Sequence, residues 1–213
     1  MTSEQIPRIG FVGLGVMGTT HAQNLDDAGA ATVAGVDVDA SARSSFADTF
    51  DATTYEGHDE MLEGESLDAL VVTTPNRFHE VAAISALERD VHVLCEKPLA
   101  HTLESAERIA RADRESDAFC MVGFCNRFAQ SATLYRQCRR RGDIGEVEHV
   151  EANYIRRRGV PGLGSWFTDE ELAGGGALMD IGVHAVDLAL HLADYPDVVE
   201  VTGETRCSVA TNS

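Results

Sequence analysis

Short apolar runs alternate with amphipathic stretches over the first 124 residues of the chain. Apolar runs predict strands that are buried on both faces, and stretches with a helical period predict the helices that cover them. The predicted strands are 8–12, 32–36, 53–55, 67–73, 91–95 and 118–124, and the predicted helices are 16–28, 40–50, 59–63, 78–89 and 103–114. This alternation predicts the α/β fold class, with a doubly wound parallel sheet.

The pattern changes after residue 124. A basic stretch at 126–141 and a mostly apolar stretch at 177–192 predict two helices, whereas 146–156 and 198–209 predict two strands. Two strands are too few to close a sheet around a core. We therefore predict a Rossmann domain at 1–124, followed by the first, incomplete part of an α+β domain at 125–213.

A glycine-rich turn separates the first predicted strand from the first predicted helix. Gly13 allows a tight turn, Gly15 lets a pyrophosphate approach the backbone, and Gly18 lets the helix pack against the strand. Val16 and Met17 lie at the helix N-terminus, where a phosphate binds. The motif predicts dinucleotide binding, and the alternative is a glycine-rich turn in an α/β protein that binds no nucleotide.

The second predicted strand ends at Asp37, whose carboxylate can accept hydrogen bonds from ribose hydroxyls. Val38 offers no cation to a 2′-phosphate, and Arg43 lies a helical turn or more further along the chain. This arrangement favours NAD as the cofactor, with NADP as the alternative.

Acidic residues outnumber basic ones. The 35 Asp and Glu against 17 Lys and Arg give a formal charge of −18, which excludes a general nucleic-acid binder and an anionic membrane surface as a partner. Such a composition resembles that of salt-adapted cytoplasmic proteins. The five cysteines form no C-x-x-C pair, which favours free thiols in a reducing compartment. We expect a cytoplasmic protein with no signal peptide and no segment of membrane-spanning length.

Lys97 is the only lysine in the chain, and it follows a predicted strand directly, before Pro98. Ligands of open α/β sheets bind outside the carboxyl ends of the strands, so this side chain is expected to point toward the cofactor crevice. An ammonium there can stabilise negative charge that develops on a substrate oxygen. The alternative is a surface lysine before a turn proline, which the absence of any other lysine disfavours.

A second group of candidate catalytic residues follows the glycines at 174–176. Asp180 and His184 are spaced i, i+4 on one face of a predicted helix, so the carboxylate can orient the imidazole. Asp187 and His191 continue this stripe, but four ligands along two turns are too far apart for one compact ion. We therefore predict no metal site.

These motifs together resemble the Gfo/Idh/MocA family of nicotinamide-dependent sugar and cyclitol oxidoreductases. The resemblance covers nearly the whole chain and lies in residues 13–18, 74–79, 96–98, 123–128 and 174–187. It implies that Lys97, Asp180 and His184 form the catalytic set and that the Lys97–Pro98 bond is cis. It also implies a cofactor-binding set that consists of Gly13, Gly15, Val16, Met17, Gly18, Asp37, Thr74, Asn76, His79 and Glu96, with Asn76 and Glu96 on the nicotinamide side.

The resemblance further implies a large, mostly antiparallel sheet in the second domain, through which family members commonly pair. The chain has only two predicted strands there, so we expect homo-oligomerisation of a full-length form rather than of this chain. For the 213-residue chain itself we expect NAD binding without measurable turnover.

The candidate substrate-binding residues lie in the second predicted domain. Tyr154, Arg156 and Arg158 alternate on one face of a predicted strand, and Trp166 lies in the adjoining loop. Arginine can bind a carboxylate or phosphate, and tryptophan can stack on a sugar face. Alternatively, the arginines at 156–158 are a solvated run of charge. The resemblance alone implies a polyol or sugar.

The predicted function is hydride transfer between a nicotinamide cofactor and a CH–OH group of a sugar, sugar derivative or cyclitol. In this mechanism His184 accepts the proton of the hydroxyl, while Lys97 hydrogen-bonds to the same oxygen. The alternative is a non-catalytic NAD-binding regulator or an inactive fragment. The joint presence of Lys97, Asp180 and His184 favours the enzyme.

Overall fold

The computed structural model describes residues 6–155, 166 and 169–205. Its strands are β1 (Arg8–Val12), β2 (Ala31–Val36), β3 (Thr53–Tyr55), β4 (Ala69–Val72), β5 (His92–Cys95) and β6 (Cys120–Val122). They form one parallel sheet in the order β3-β2-β1-β4-β5-β6, which confirms the predicted doubly wound sheet. The strand order reverses between β1 and β4, and their carboxyl ends therefore border the crevice in which such sheets bind ligands.

Five helices cover the two faces of this sheet. They are α1 (Val16–Asp27), α2 (Ala40–Phe50), α3 (His58–Gly64), α4 (His79–Leu87) and α5 (Leu103–Glu115). Two of them begin at capping side chains: Asp39 accepts a hydrogen bond from the Ser41 backbone N–H, and Thr102 accepts one from Ser105. The strands β1 to β6 and the helices α1 to α5 all lie within two residues of their predicted bounds.

The core consists of two apolar clusters, one on each face of the sheet. Because side chains alternate along a strand, Leu70 and Val72 of β4 pack into the cluster that contains α3, α4 and α5, whereas Val71 packs with Phe11 and Phe46 on the side of α1 and α2. Both faces are therefore covered, which explains why the central strands read as uninterrupted apolar runs.

In the described residues after β6, the regular elements are helices. It contains a 3-10 helix at Cys125–Phe128, α6 (Gln130–Arg141), α7 (Glu170–Ala173), a π-helical turn at Leu178–Gly182 and α8 (Val183–Ala193). The predicted helices at 126–141 and 177–192 are confirmed. The predicted strands are wrong over their described parts, 146–155 and 198–205, which form no strand. Alternation along a segment predicts an exposed face, but a strand also needs a neighbour that pairs with its N–H and C=O groups.

Polar contacts hold α8 against its neighbours. The guanidinium of Arg127 pairs with the buried Asp187 carboxylate, with 2.9 Å between Nε and Oδ2, and it also lies 4.9 Å from the ring centroid of Phe124. At the other end of α8, Arg136 and Arg139 of α6 donate to the backbone carbonyls of residues 191 and 192. These carbonyls carry the partial negative charge of a helix C-terminus, which the two cations offset.

The stretch Glu171–Ala193 has 23 residues and a mean hydropathy of 1.3, so by length and composition alone it could cross a membrane, contrary to the prediction for this chain. One such stretch is weak evidence for a membrane span. It is interrupted at the glycines 174–176, which are not helical. It also contains Asp180 and Asp187, which pair with Lys97 and Arg127. Burying such charges in lipid is costly.

Candidate active site

The turn between β1 and α1 has the geometry that its glycines predict. Gly13 has a φ of +93°, and a Cβ there would lie 2.8 Å from the backbone carbon of Thr73. At Gly18 a Cβ would lie 2.0 Å from the carbonyl oxygen of Gly13. Both positions therefore require glycine for packing, whatever binds nearby.

Gly15 differs from its two neighbours in the motif. A Cβ at Gly15 would meet no atom within 4 Å, and α1 begins there without a side-chain cap. The side chains of Val16 and Met17, which follow, are exposed. The helix N-terminus is thus uncapped and has open space beside Gly15, and the residues present fit a pyrophosphate.

The end of β2 places Asp37 beside this turn. Its Oδ2 accepts a hydrogen bond of 2.8 Å from the Leu14 backbone N–H, and its Oδ1 accepts one of 2.9 Å from Asp39. A carboxylate oxygen has a second lone pair, so these bonds leave capacity for ribose hydroxyls. Arg43 does not stay a helical turn away, as its position in the sequence suggested. Its guanidinium folds back and donates to the Asp37 backbone carbonyl at 2.8 Å.

Three of the predicted cofactor residues follow β4: Thr74 and Asn76 lie in the loop, and His79 begins α4. The side chain of Asn76 is buried and donates to the backbone carbonyl of Ala173 at 2.7 Å. The Thr74 hydroxyl is buried without a hydrogen-bond partner. His79 is 1% exposed, and its ring nitrogens lie 2.8 Å from the Thr74 carbonyl oxygen and 3.0 Å from that of Pro98.

His79 therefore links the loop after β4 to the loop after β5, and its contact with a cofactor stays a prediction. Burial lowers the pKa of His79, and hydrogen bonds with the carbonyls of Thr74 and Pro98 oppose part of that shift. The sequence does not show whether the ring of a histidine at the start of a helix turns outward or inward, so the burial of His79 could not be predicted.

Glu96 and Lys97 follow β5, and the Lys97–Pro98 bond is cis, as the resemblance implied. The Glu96 carboxylate accepts hydrogen bonds from His21 of α1 at 2.8 Å and from the Lys97 backbone N–H at 3.0 Å. Burial raises the pKa of Glu96, but the His21 and Lys97 hydrogen bonds outweigh it, so the pKa falls below its ordinary value. Glu96 is thus charged at neutral pH and links α1 to the lysine loop.

Lys97 bridges the sheet edge and the second region of the chain. Its Nζ donates to the backbone carbonyl of Asp180 at 2.7 Å and lies 3.3 Å from the Asp180 Oδ1. Both side chains are mostly buried, at 17% and 22% exposed. Asn76, Lys97 and Asp180 line one narrow cavity. Residues separated by up to 104 positions in the chain are therefore brought to one point at the carboxyl edge of the sheet.

His184 does not have the orienting contact that its i, i+4 spacing from Asp180 suggested. Its Nδ1 is buried and has no hydrogen-bond partner, while Asp180 pairs with Lys97. The π-helical turn at Leu178–Gly182 changes the rotation per residue, so the spacing of a regular helix no longer places the two side chains together. The ring of His184 instead contacts two aromatic rings, an edge of Phe124 and the stacked ring of Tyr154, with centroids 6.4 Å and 6.5 Å away.

The electrostatics of His184 suit a proton acceptor. Burial lowers its pKa below the ordinary value, and the positive charge of Lys97 lowers it further. The imidazole is therefore neutral at pH 7, with a lone pair available to accept a proton. Histidines with this protonation state are the usual general bases of enzymes.

Two of the four predicted substrate-binding residues lie in the part of the chain that the structure describes. Tyr154 stacks beside His184, which places it at the site. Trp166 is half-buried. Arg156 and Arg158 lie outside the described residues. Within the part of the chain that the structure describes, no group of three or more His, Cys, Asp or Glu side chains could hold a metal ion.

Two pairings at this site involve residues that the sequence had not singled out together. His21 pairs with Glu96, which lies 75 positions further along the chain, and Arg127 pairs with Asp187 over 60 positions. For Arg127 and Asp187 a signal existed, because each belongs to a motif that the family resemblance includes. For His21 the signal is its place in the first turns of the helix that follows the glycine motif.

The chain matches a known family in both of its parts. Residues 7–124 match the domain described as an oxidoreductase family with an NAD-binding Rossmann fold, and residues 133–212 match the Gfo/Idh/MocA C-terminal domain. The chain belongs to the Gfo/Idh/MocA family. The resemblance inferred from the motifs is therefore confirmed.

Individual members of this family are similar over most of the chain. D-Glucoside 3-dehydrogenase of Escherichia coli is 36% identical over 160 residues, which are 75% of this chain and 45% of that protein. Inositol 2-dehydrogenase/D-chiro-inositol 3-dehydrogenase of Lacticaseibacillus casei is 30% identical over 187 residues, or 85% of this chain and 51% of that protein. The chain thus spans about half the length of these relatives.

A solved structure shows the same arrangement of elements. The oxidoreductase domain protein from Kribbella flavida superposes with a TM-score of 0.81 and 34% identity, over 89% of this chain and 53% of that one. The Gfo/Idh/MocA chain described here therefore shares the fold of an oxidoreductase well beyond its dinucleotide motif.

Proposed function

We propose that the protein is a nicotinamide-dependent dehydrogenase that oxidises a CH–OH group of a sugar, sugar derivative or cyclitol. The observation that carries this proposal is the contact of Lys97 with Asp180 at the carboxyl edge of the sheet, with His184 beside them. This edge also contains the glycine turn that fits a pyrophosphate. The named relatives act on sugars and inositols, which supports the substrate class.

The cofactor would be held at its phosphates by the α1 N-terminus at Gly15 and at its adenosine ribose by Asp37. When bound, the nicotinamide ring supplies the acceptor for the hydride. The protein supplies orientation and charge. Glu96 is fixed by His21, and it fixes the backbone at Lys97, so the lysine enters the crevice from a rigid loop.

The neutral imidazole of His184 takes the proton of the substrate hydroxyl in this mechanism. The ammonium of Lys97 hydrogen-bonds to the same oxygen and stabilises the negative charge that develops there as the proton leaves. Asp180 neutralises and positions the ammonium. Tyr154 packs along one side of the imidazole and offers a ring on which a sugar can lie.

The test is the growth of NADH absorbance in the longest natural form that contains residues 1–213, supplied with NAD and a panel of sugars and inositols. At least one panel member should give turnover, and Lys97→Ala should remove it. Arg114→Ala, on the exposed side of α5, is the control for loss of a cation and should keep full activity. A protein that binds NADH but oxidises no member of the panel would instead support the non-catalytic regulator.

We also propose a cytoplasmic location, a salt-adapted surface, the absence of nucleic-acid and membrane partners, and homo-oligomerisation of a full-length form. The net charge of −18 supports the first three of these, together with four free cysteines among the described residues: Cys95, Cys120, Cys125 and Cys138. The division into domains at residue 124 likewise stays a prediction.

A further inference from the structure

The rim of the crevice beyond Asp37 contains a cation that faces the predicted adenosine end of the cofactor site. Arg43 lies in the first turn of α2, and its Nη1 donates to the backbone carbonyls of Asp37 at 2.8 Å and Val38 at 3.2 Å. Its side chain is only 16% exposed. The guanidinium therefore lies against the turn that, in Rossmann domains, is next to the 2′ position of the ribose.

This guanidinium has a second partner that holds it in place. Its Nη2 lies 2.7 Å from the Oε1 of Glu56, the residue directly after β3, and the Glu56 side chain is 80% exposed. Because Glu56 is exposed and the guanidinium is largely buried, loss of the Glu56 charge would leave the guanidinium in place and able to bind another anion. A phosphate accepts charge-assisted, bidentate hydrogen bonds from arginine more strongly than a solvated carboxylate does.

The other charged groups at this rim are carboxylates, which repel a phosphate. Both oxygens of the Asp37 carboxylate accept backbone hydrogen bonds, so this anion is fixed in place. Asp39 lies two residues further on, and hydrogen bonds from Ser41 lower its pKa, which keeps it ionised at neutral pH. Glu56 adds a third carboxylate. A 2′-phosphate would therefore meet three anions and one cation that is already paired.

We propose that Arg43 and Glu56 form a latch that sets the preference between NAD and NADP. With Glu56 present, the guanidinium is engaged and the rim favours the unphosphorylated ribose. Without the Glu56 charge, Arg43 is free to donate to a 2′-phosphate, and the preference moves toward NADP. This inference rests on the proposed function, because it assumes that the dinucleotide binds at the glycine turn.

The test compares two fragments that differ only in the 2′-phosphate. 5′-AMP and 2′,5′-ADP are titrated against NADH bound to the 213-residue chain, and the ratio of their dissociation constants is followed by NADH fluorescence. In the unmodified chain 5′-AMP should bind at least as tightly as 2′,5′-ADP. In Glu56→Gln the ratio should move about fivefold to tenfold toward 2′,5′-ADP, as expected for one released charge-assisted bond. The shift should shrink as salt is raised.

Two further variants separate the latch from a general charge effect. Glu63→Gln removes the same charge from an exposed position in α3 and should leave the ratio unchanged. Adding Arg43→Gln to Glu56→Gln should cancel the shift, and Arg43→Lys should retain part of it because a cation remains.

The possible failures are distinguishable. If NADH binds and the ratio is the same in Glu56→Gln, Arg43→Gln and the unmodified chain, the latch is wrong and the proposed function stands. A shift of equal size in Glu63→Gln would also overturn the latch, because net charge would then explain it. If the folded chain does not bind NADH, both the latch and the proposed cofactor site are contradicted.

Discussion

The two regions of the molecule, 6–124 and 125–205, are stabilised in different ways. Of the buried apolar residues that the structure describes, all but Ala132 and Ala173 lie in the first region. The second region is held to the first by polar contacts: Lys97 with Asp180, Asn76 with the Ala173 carbonyl, and Arg77 with Glu171. The first region thus has its own core, whereas the position of the second depends on a few specific pairs.

The residues for cofactor binding and those for catalysis are divided between the two regions. The residues that fit a dinucleotide lie in the region with its own core, and Asp180 and His184 lie in the other. Cofactor binding should therefore survive changes in the second region, while turnover should require both. Each prediction below tests one side of this division.

The largest expected effect is that of Lys97→Ala. This substitution removes the cation that pairs with Asp180 across the two regions and that can stabilise charge on the substrate oxygen. Turnover in the longest natural form should fall below detection, a loss of about 10³-fold or more. The dissociation constant for NADH should stay within a few-fold, because the glycine turn is untouched. Retained turnover would rule out the role assigned to this lysine.

His184→Asn should lower turnover by about 10²–10⁴-fold, which is the usual contribution of a general base. Since the ring lies outside the first region, NADH affinity measured by fluorescence should not change more than a few-fold. A variant with normal turnover would show that another group, or water, accepts the proton.

Two leucines compare the stability of the regions directly. Leu70 of β4 is fully buried, so Leu70→Ala should lower the free energy of unfolding by about 2–5 kcal/mol. Leu178 in the π-helical turn is 62% exposed. Leu178→Ala should therefore change the free energy of unfolding by less than about 0.5 kcal/mol. Urea denaturation followed by circular dichroism measures both. Equal effects would mean that the second region has a core of its own.

Substitution of two glycines in the first region tests packing and cofactor binding separately. Gly18→Ala should destabilise the fold, because its Cβ would overlap the Gly13 carbonyl. Gly15→Ala should leave the unfolding midpoint unchanged and weaken NADH binding about tenfold, because the new methyl group occupies the open space over the helix N-terminus. If Gly15→Ala binds NADH normally, the pyrophosphate is held elsewhere.

The smallest expected effect is a shift in a pH profile. A general base acts only when it is unprotonated, and burial together with Lys97 lowers the pKa of His184. The rate of oxidation should therefore fall on acidification through an apparent pKa below the ordinary histidine value of 6.5, and it should be level from there to neutral pH. In Lys97→Met any residual activity should show this inflection at higher pH, because one cause of the lowered pKa is removed.

The sheet and its helices could be predicted from the sequence because they follow from local periodicity. Strand β3 and helix α2 have the predicted bounds, and the parallel order follows from the alternation of elements. The segments 146–155 and 198–205 could not be predicted in this way. Their alternating residues resemble strands, but pairing depends on partners that periodicity does not reveal.

Motifs could name the candidate site residues, but they could not show the contacts between them. Lys97 and Asp180 could be named from motifs, yet the direct pair between them replaced the expected pair of Asp180 with His184, because a π-helical turn is invisible in residue spacing. Arg43 was placed too far away because counting residues along a helix ignores the reach of a long side chain that folds back. The burial of His79 could not be predicted, because it depends on two loops that are distant in sequence.

The most direct test of the account is a calorimetric titration of NADH into the 213-residue chain, on protein shown to be folded by circular dichroism. A first region with its own core and an open glycine turn predicts saturable binding at one site, whatever the state of the second region. A folded chain that gives neither heat of binding nor a change in NADH fluorescence would contradict this claim.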